Sequence, residues 1–240
     1  MRTLIIGVIA LVALLAPSPA FAHEGPPLPP ACRVPNPTID CILQPSLEAR
    51  PEVTRTDVAK VYVRLGIEHV LGGWDHLGFL AGLLLLVRDP RRLLGAVTAF
   101  TAAHACAVTL AALGYAPLRA PVVEILIAMS LVLVAREALV PHDTLARRRP
   151  WLVAGLFGLV HGLGFASALA EIGLPRLHVA LALGVFNVGV ELAQLGIASA
   201  LLVGLWALGR TRGRVELLLA YAIGTLGVAW TVQRAIIAFT

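Results

Sequence analysis

Glu68, His69, Asp75 and His76 lie within nine residues of one stretch, Gly66-Ile67-Glu68-His69-Val70-Leu71-Gly72-Gly73-Trp74-Asp75-His76-Leu77, which runs on apolar to Val87. An ionisable side chain at the centre of a bilayer costs roughly 2.5–3.5 kcal/mol on insertion scales, so four in one apolar span point to function. Imidazole with carboxylate is a donor set for a divalent transition metal such as nickel, cobalt or zinc. In a straight helix, seven residues fall about 20° short of two turns. His69 and His76 then share one stripe, Glu68 and Asp75 the adjacent one, with roughly 10 Å between partners along the axis. Both histidines reach one ion only if the helix is distorted; otherwise they are two steps of a path. Gly72 and Gly73 lie between them, where glycine permits close helix approach or local unwinding beside a cavity.

Other spans carry polar groups to similar depth. Counted from the span ends, His76, His104, His161 and Asn187 all fall about 15–18 Å in, near the midplane. Glu191 and Gln194 follow Asn187 at helical spacing, and Glu124 enters near the outer end of the third span. A single buried histidine is usually glue between helices. Three histidines, an aspartate and an asparagine at one depth are better explained as a site. Cys106, inside an apolar span, reads as a small buried residue.

The elements that must position these groups follow from composition. The chain of 240 residues is 58% hydrophobic and 14% charged, against about a quarter charged in soluble domains. That makes it an all-α integral membrane protein. Spans are expected at about 64–87, 92–114, 121–140, 151–172, 177–208 and 215–238, each meeting the roughly 20-residue requirement. The fifth is long enough to tilt or break. Residues 1–22 read as a cleavable signal peptide, with Arg2, an apolar run and Ala20-Phe21-Ala22 as a small-x-small site; an uncleaved anchor is the alternative. Residues 23–60 form a polar, proline-rich extracytoplasmic segment. There Cys32 and Cys41 are expected to pair in an oxidising compartment, a metal-binding pair being the weaker option. Residues 61–240 then make a six-helix transmembrane domain.

Loops 88–92, 136–150 and 209–214 hold ten arginines, whereas the opposite loops hold Arg119 and Arg176. By the positive-inside rule both mature termini are extracytoplasmic, with Arg234 snorkelling to that interface. The arginines are loop determinants, not a nucleic-acid signal. The single lysine, Lys60, belongs to no Gly-x4-Gly-Lys-Ser/Thr pattern, which argues against an ATP-driven pump. Spans one and four share a core, Gly66-Ile67-Glu68-His69 and Gly158-Leu159-Val160-His161. With three spans per half, such a repeat would be inverted, a common transporter plan. Gly155-x-x-Gly158 and Gly224-x-x-Gly227 allow close packing within the chain or between chains of a homo-oligomer.

At these residues the chain resembles the HupE/UreJ family, over about residues 62–238. The family's His-x5-Asp-His hallmark is similar to the run from His69 to His76. Phe100-Thr101-Ala102-Ala103-His104 looks like the second motif. Phe157-Gly158-Leu159-Val160-His161-Gly162-Leu163-Gly164-Phe165-Ala166 and Phe186-Asn187-Val188-Gly189-Val190-Glu191 look like the fourth- and fifth-span motifs. The family commonly has Ser, then Thr, after the second-span histidine. Here Ala105, Cys106 and Ala107 follow, so a hydroxyl ligand is missing unless Cys106 serves as a softer one.

The resemblance implies a permease for nickel or cobalt in the bacterial inner membrane, associated with nickel-dependent hydrogenase and urease systems and their maturation proteins. Its partners would be the ion and membrane lipid; no prosthetic cofactor and no enzymatic activity are expected. Glu68 and Glu124 would collect the hydrated cation, and His69, Asp75 and His76 would strip its hydration shell. His104 and His161 would receive it, with Asn187 and Glu191 orienting ligands. Binding needs neutral imidazoles, so transport should fade below about pH 6. His23, if exposed by cleavage, offers an α-amine and an imidazole as a chelating pair beside Glu24, or an untethered terminus. Rival expectations are a membrane-embedded zinc hydrolase assisted by Ser130 or Ser167, a b-type haem protein and a non-transporting accessory subunit.

Overall fold

The computed structural model describes residues 54–113, 115, 120–172 and 178–239, with side chains left aside for 166–172. The signal peptide, the Cys32–Cys41 pairing and His23 lie outside these residues. Every element among the described residues is helical: α1 Arg55–Gly72, α2 Trp74–Leu86, α3 Pro90–Ala112, α4 Ala120–Leu139, α5 Leu145–Arg148, α6 Pro150–Ile172, α7 Val179–Ala207, the 3₁₀ turn Gly209–Thr211 and α8 Arg212–Phe239.

Local chemistry sets several of these ends. Asp89 caps α3 by accepting from the Arg91 N–H, with Pro90 at the first helical position where its missing N–H costs nothing. Thr144 caps α5 by accepting from the Arg147 N–H. Arg147 Nη2 then donates to the carbonyls of Glu137, Ala138 and Val140 at 3.0–3.1 Å, satisfying acceptors that the end of α4 leaves without helical partners. Arg92 Nη2 ties the start of α3 to the same corner through the carbonyls of Arg147 and Arg148, at 2.6 and 2.7 Å.

Helices occupy the stretches read as spans. Length and apolar composition suffice for a membrane crossing in three: α3, α7 and the run Gly209–Phe239. The pair α1 and α2 qualifies as a fourth if the two count as one broken span. Charge explains the shortfall in α4, whose sequence includes Glu124, Arg136 and Glu137. In α6 the apolar stretch with described side chains is Pro150–Phe165. The long fifth stretch is one continuous helix of 29 residues.

The first span departs most from expectation. It begins at Arg55 and is two helices bent by 73° about Gly73. The Gly73 N–H still bonds back to the His69 carbonyl at 3.0 Å, and its own carbonyl receives Leu77 N–H at 3.0 Å. The bend therefore leaves both of those Gly73 backbone groups bonded.

Three pairs account for most helix packing: α3 with α6, α4 with α8, and α1 with α7. Glycine seams make the close approach possible. A methyl group on Gly66 would collide with the Phe186 carbonyl oxygen, and one on Gly158 with the Phe100 carbonyl oxygen. At Gly227 a Cβ would meet Leu131 and Val132 at 2.9 Å, and at Gly224 it would meet Ala135 at 3.3 Å. The small-residue pairs seen in the sequence are thus spent within the chain. Helix α2 belongs to no pair and is packed chiefly on α4.

Candidate metal centre

The two Gly-aliphatic-x-His cores explain why His69 and His161 come together. In each, the glycine presses its helix onto the carbonyl of a phenylalanine that opens a polar motif, Phe186 for α1 and Phe100 for α6. Three residues further on, the histidine emerges beside that motif's polar side chains. His104 from α3 enters the same space, fully buried, with His161 and His76 at 1% and 4% exposure.

The break at Gly73 completes the group. The rings of His69, in the last turn of α1, and His76, in the first turn of α2, have centroids 4.6 Å apart. A straight helix would hold them about 10 Å apart along its axis. The His76 ring is also 5.0 Å from that of His161 and 6.0 Å from that of His104. The alternative of two steps along a path is therefore replaced by one cluster. Ligand nitrogens of His69, His76 and His104 all lie within 4.8 Å of one another. Donors about 2.1 Å from a shared ion stand about 3.4 Å apart in a tetrahedron, so movements of about 1 Å would bring these three onto one cation.

The ring nitrogens are arranged for lone-pair donation. His76 Nδ1 faces Asp75 Oδ1 at 3.0 Å, His104 Nδ1 faces Asn187 Oδ1 at 3.2 Å, and His161 Nδ1 faces the Phe157 carbonyl at 2.8 Å. Asn187 Nδ2 donates to the Leu183 carbonyl at 2.8 Å, which fixes which amide atom meets His104. Each partner is an acceptor, so Nδ1 carries the proton and Nε2 is left with its lone pair. The Nε2 atoms of His69, His76, His104 and His161 are all buried without a hydrogen-bond partner. Three orphaned acceptors, beside a fourth unpartnered ring nitrogen on His69, are costly in one place unless something fills them. Acceptors behind the rings are the supporting arrangement that metal-binding imidazoles use.

Aromatic rings enclose the cluster. His104 is stacked between Phe100 and Phe186, and His69 lies 4.1 Å from Phe165, which stacks on Phe186 at 4.9 Å. Charge enters from one side. Asp75, beside the α2 N-terminus, accepts the His76 N–H at 2.8 Å; the helix dipole favours a carboxylate there. A cavity of about 410 Å³ opens onto the cluster, lined by Glu68, His69, Asp75, His76, Glu124, His161 and Arg234 among others.

The other expected site residues take different places. Glu68 and Glu124 line the cavity, but each has a basic partner: Glu68 with Arg64 at 2.7 Å, Glu124 with Arg234 at 3.6 Å. Glu191 stands outside the cluster, where Thr98 Oγ1 donates to its Oε1 at 2.7 Å. Beside it Thr101 Oγ1 donates to Gln194 Oε1 at 2.9 Å. Ser130 Oγ donates to the Ile127 carbonyl at 2.6 Å. Cys106 is exposed, which corrects its expected burial and removes it as a substitute ligand; two residues past His104 it emerges about 200° round the helix. Arg234, read from the sequence as snorkelling to the outer interface, lines the cavity. The signal for it was an arginine inside the last apolar span, at a level matching Glu124.

Among the described residues, a set of helices that includes membrane-crossing lengths, with a four-histidine cluster at the bend between α1 and α2, is thereby defined. Residues 46–234 match the family described as HupE / UreJ protein, and the chain belongs to that family. No curated protein and no solved structure matches the chain.

Proposed function

We propose that the protein is a six-span permease for divalent transition-metal ions, with nickel or cobalt as cargo for nickel-enzyme maturation. The observation that carries this is the clustering of four unpartnered imidazole Nε2 atoms from four helices, with His69, His76 and His161 lining one cavity and His104 packed against His69 and His76. His69, His76 and His104 would hold the ion, with His161 as a fourth donor or the next station. Asp75 supplies the countercharge. Asn187 fixes the His104 ring, and Glu68 and Glu124 attract the cation at the cavity. The C-terminal turn of α1, at the break, adds carbonyls whose dipoles favour a cation. Neutral nitrogen donors with few carboxylates disfavour magnesium and calcium, which take oxygen ligands. Two charges moving through about −100 mV release roughly 4.6 kcal/mol, enough for more than three decades of accumulation without ATP.

Clustering also favours a second reading, a zinc hydrolase within the membrane, because a catalytic zinc needs three such ligands around an open position. Against it, Asp75 is engaged by His76 and Ser130 by a backbone carbonyl. A haem between His104 and His161 would have to share its space with the His76 ring, which lies 5.0–6.0 Å from both.

The deciding experiment is uptake of radioactive nickel, cobalt and zinc into proteoliposomes with an inside-negative potential. His76→Ala and His104→Ala should abolish uptake of the transported ion. Folded, metal-loaded protein that moves none of the three would refute the permease and leave an accessory metal-binding role.

A further inference from the structure

Arg234 is out of place in a cavity built for cations. It alone among the described lining residues bears a fixed positive charge, while Glu68, Asp75 and Glu124 are acidic. Its Nε lies 3.6 Å from Glu124 Oε2, a charge contact too long for a good hydrogen bond. Its Nη1 is buried without a partner, and the guanidinium lies 5.5 Å over the Trp230 ring, a face that stabilises a cation. Glu124 is half-exposed and Arg234 mostly covered, at 53% and 24%. The carboxylate is thus the mobile partner and the guanidinium the anchored one.

Resting on the metal centre proposed above, we propose that the Arg234–Glu124 pair is a charge latch that determines valence specificity. Glu124 cannot face Arg234 and an incoming ion equally well, so an ion must displace the guanidinium from it. A monovalent cation offers Glu124 the same charge as Arg234 and gains nothing by the exchange. A dication offers twice the Coulomb attraction at equal distance. The displaced guanidinium keeps the Trp230 face. The latch thus admits divalent ions to the histidines and holds potassium and sodium out of the cavity that leads to them.

The test is equilibrium nickel binding to the full chain in detergent, which requires no transport. Affinity is compared in potassium chloride and in N-methylglucamine chloride of equal ionic strength, so that screening is constant and only ion size differs. Wild type should bind nickel equally in both. Arg234→Gln should bind at least several-fold tighter in N-methylglucamine, because a charge that repels the dication is gone, and should lose several-fold in potassium. Arg234→Lys should restore indifference to potassium, which a purely packing role for the guanidinium would not predict. Should Arg234→Gln fail to fold, Glu124→Gln tests the same point: nickel binding should weaken about tenfold, and unchanged affinity overturns the latch. Potassium indifference in folded Arg234→Gln also overturns it. A wild type that binds no nickel overturns the metal centre itself, and the latch with it.

Discussion

Gly73→Ala tests whether the break in the first span builds the centre. A Cβ there would lie 2.8 Å from His76 Nδ1, 3.0 Å from Asp75 Oδ1 and 3.0 Å from the His69 carbonyl oxygen. Ordinary contact begins near 3.4 Å, so the three atoms must retreat by 0.4–0.6 Å together. One is a backbone oxygen at the end of α1, and the other two form the His76–Asp75 hydrogen bond, so none is a free flexible tip. Overpacking of this kind costs about 1–3 kcal/mol. Displacing the acceptor behind a metal-binding imidazole typically costs 10–100-fold in metal affinity. Gly72→Ala is the matched control: a Cβ there meets nothing within 4 Å, and in a helix alanine is favoured over glycine by about 0.5–1 kcal/mol. Thermal unfolding in detergent and nickel titration would be run on both. Gly73→Ala should unfold several degrees lower and bind nickel at least tenfold more weakly, while Gly72→Ala binds nickel as wild type does and unfolds no lower. Equal behaviour of the two variants would refute the claim that space at Gly73 governs the His69–His76 approach.

Two further outcomes are expected. Asn187→Leu removes the acceptor behind His104 and strands a buried N–H, costing about 1–3 kcal/mol of stability and at least tenfold in nickel affinity; Asn187→Asp, which keeps an acceptor, should retain binding, and loss in both variants would assign Asn187 to packing instead. A bound ion stabilises the folded state by mass action, so nickel at about a hundredfold over its Kd should add about 2.7 kcal/mol. Chelator should reverse this; a melting temperature indifferent to nickel would count against the site.

The members of the centre were legible because expensive residues in apolar spans have few reasons to be there, and depth along a helix can be counted. His69, Asp75, His76, His104, His161 and Asn187 were all found that way. Their mutual approach was not. Sequence offered a straight helix or a distorted one, and only the space at Gly73, already filled by His76 and Asp75, shows which glycine takes the bend. Rotational facing failed at Cys106, because an apolar helix gives hydropathy little to discriminate between its core and outer faces. Glu191 follows Asn187 by one turn and so was expected to join it, but α7 meets Thr98 of α3 there and the hydroxyl donates to Glu191 Oε1. Arg234 depended on the pairing of α4 with α8, a long-range contact that no local pattern encodes.

The helix pairing also dictates an order of events during synthesis. Helix α1 ends at Gly72, but its partner α7 is not complete until Ala207. The 135 residues between take about 7–27 s to translate at 5–20 residues per second. For most of that interval His69 and His76 are already made, while Asn187, whose side chain faces His104, is not. A nascent chain therefore carries half a binding site in the bilayer with its glycine seam uncovered. Its quality control must tolerate that exposure until the carboxy-terminal half arrives.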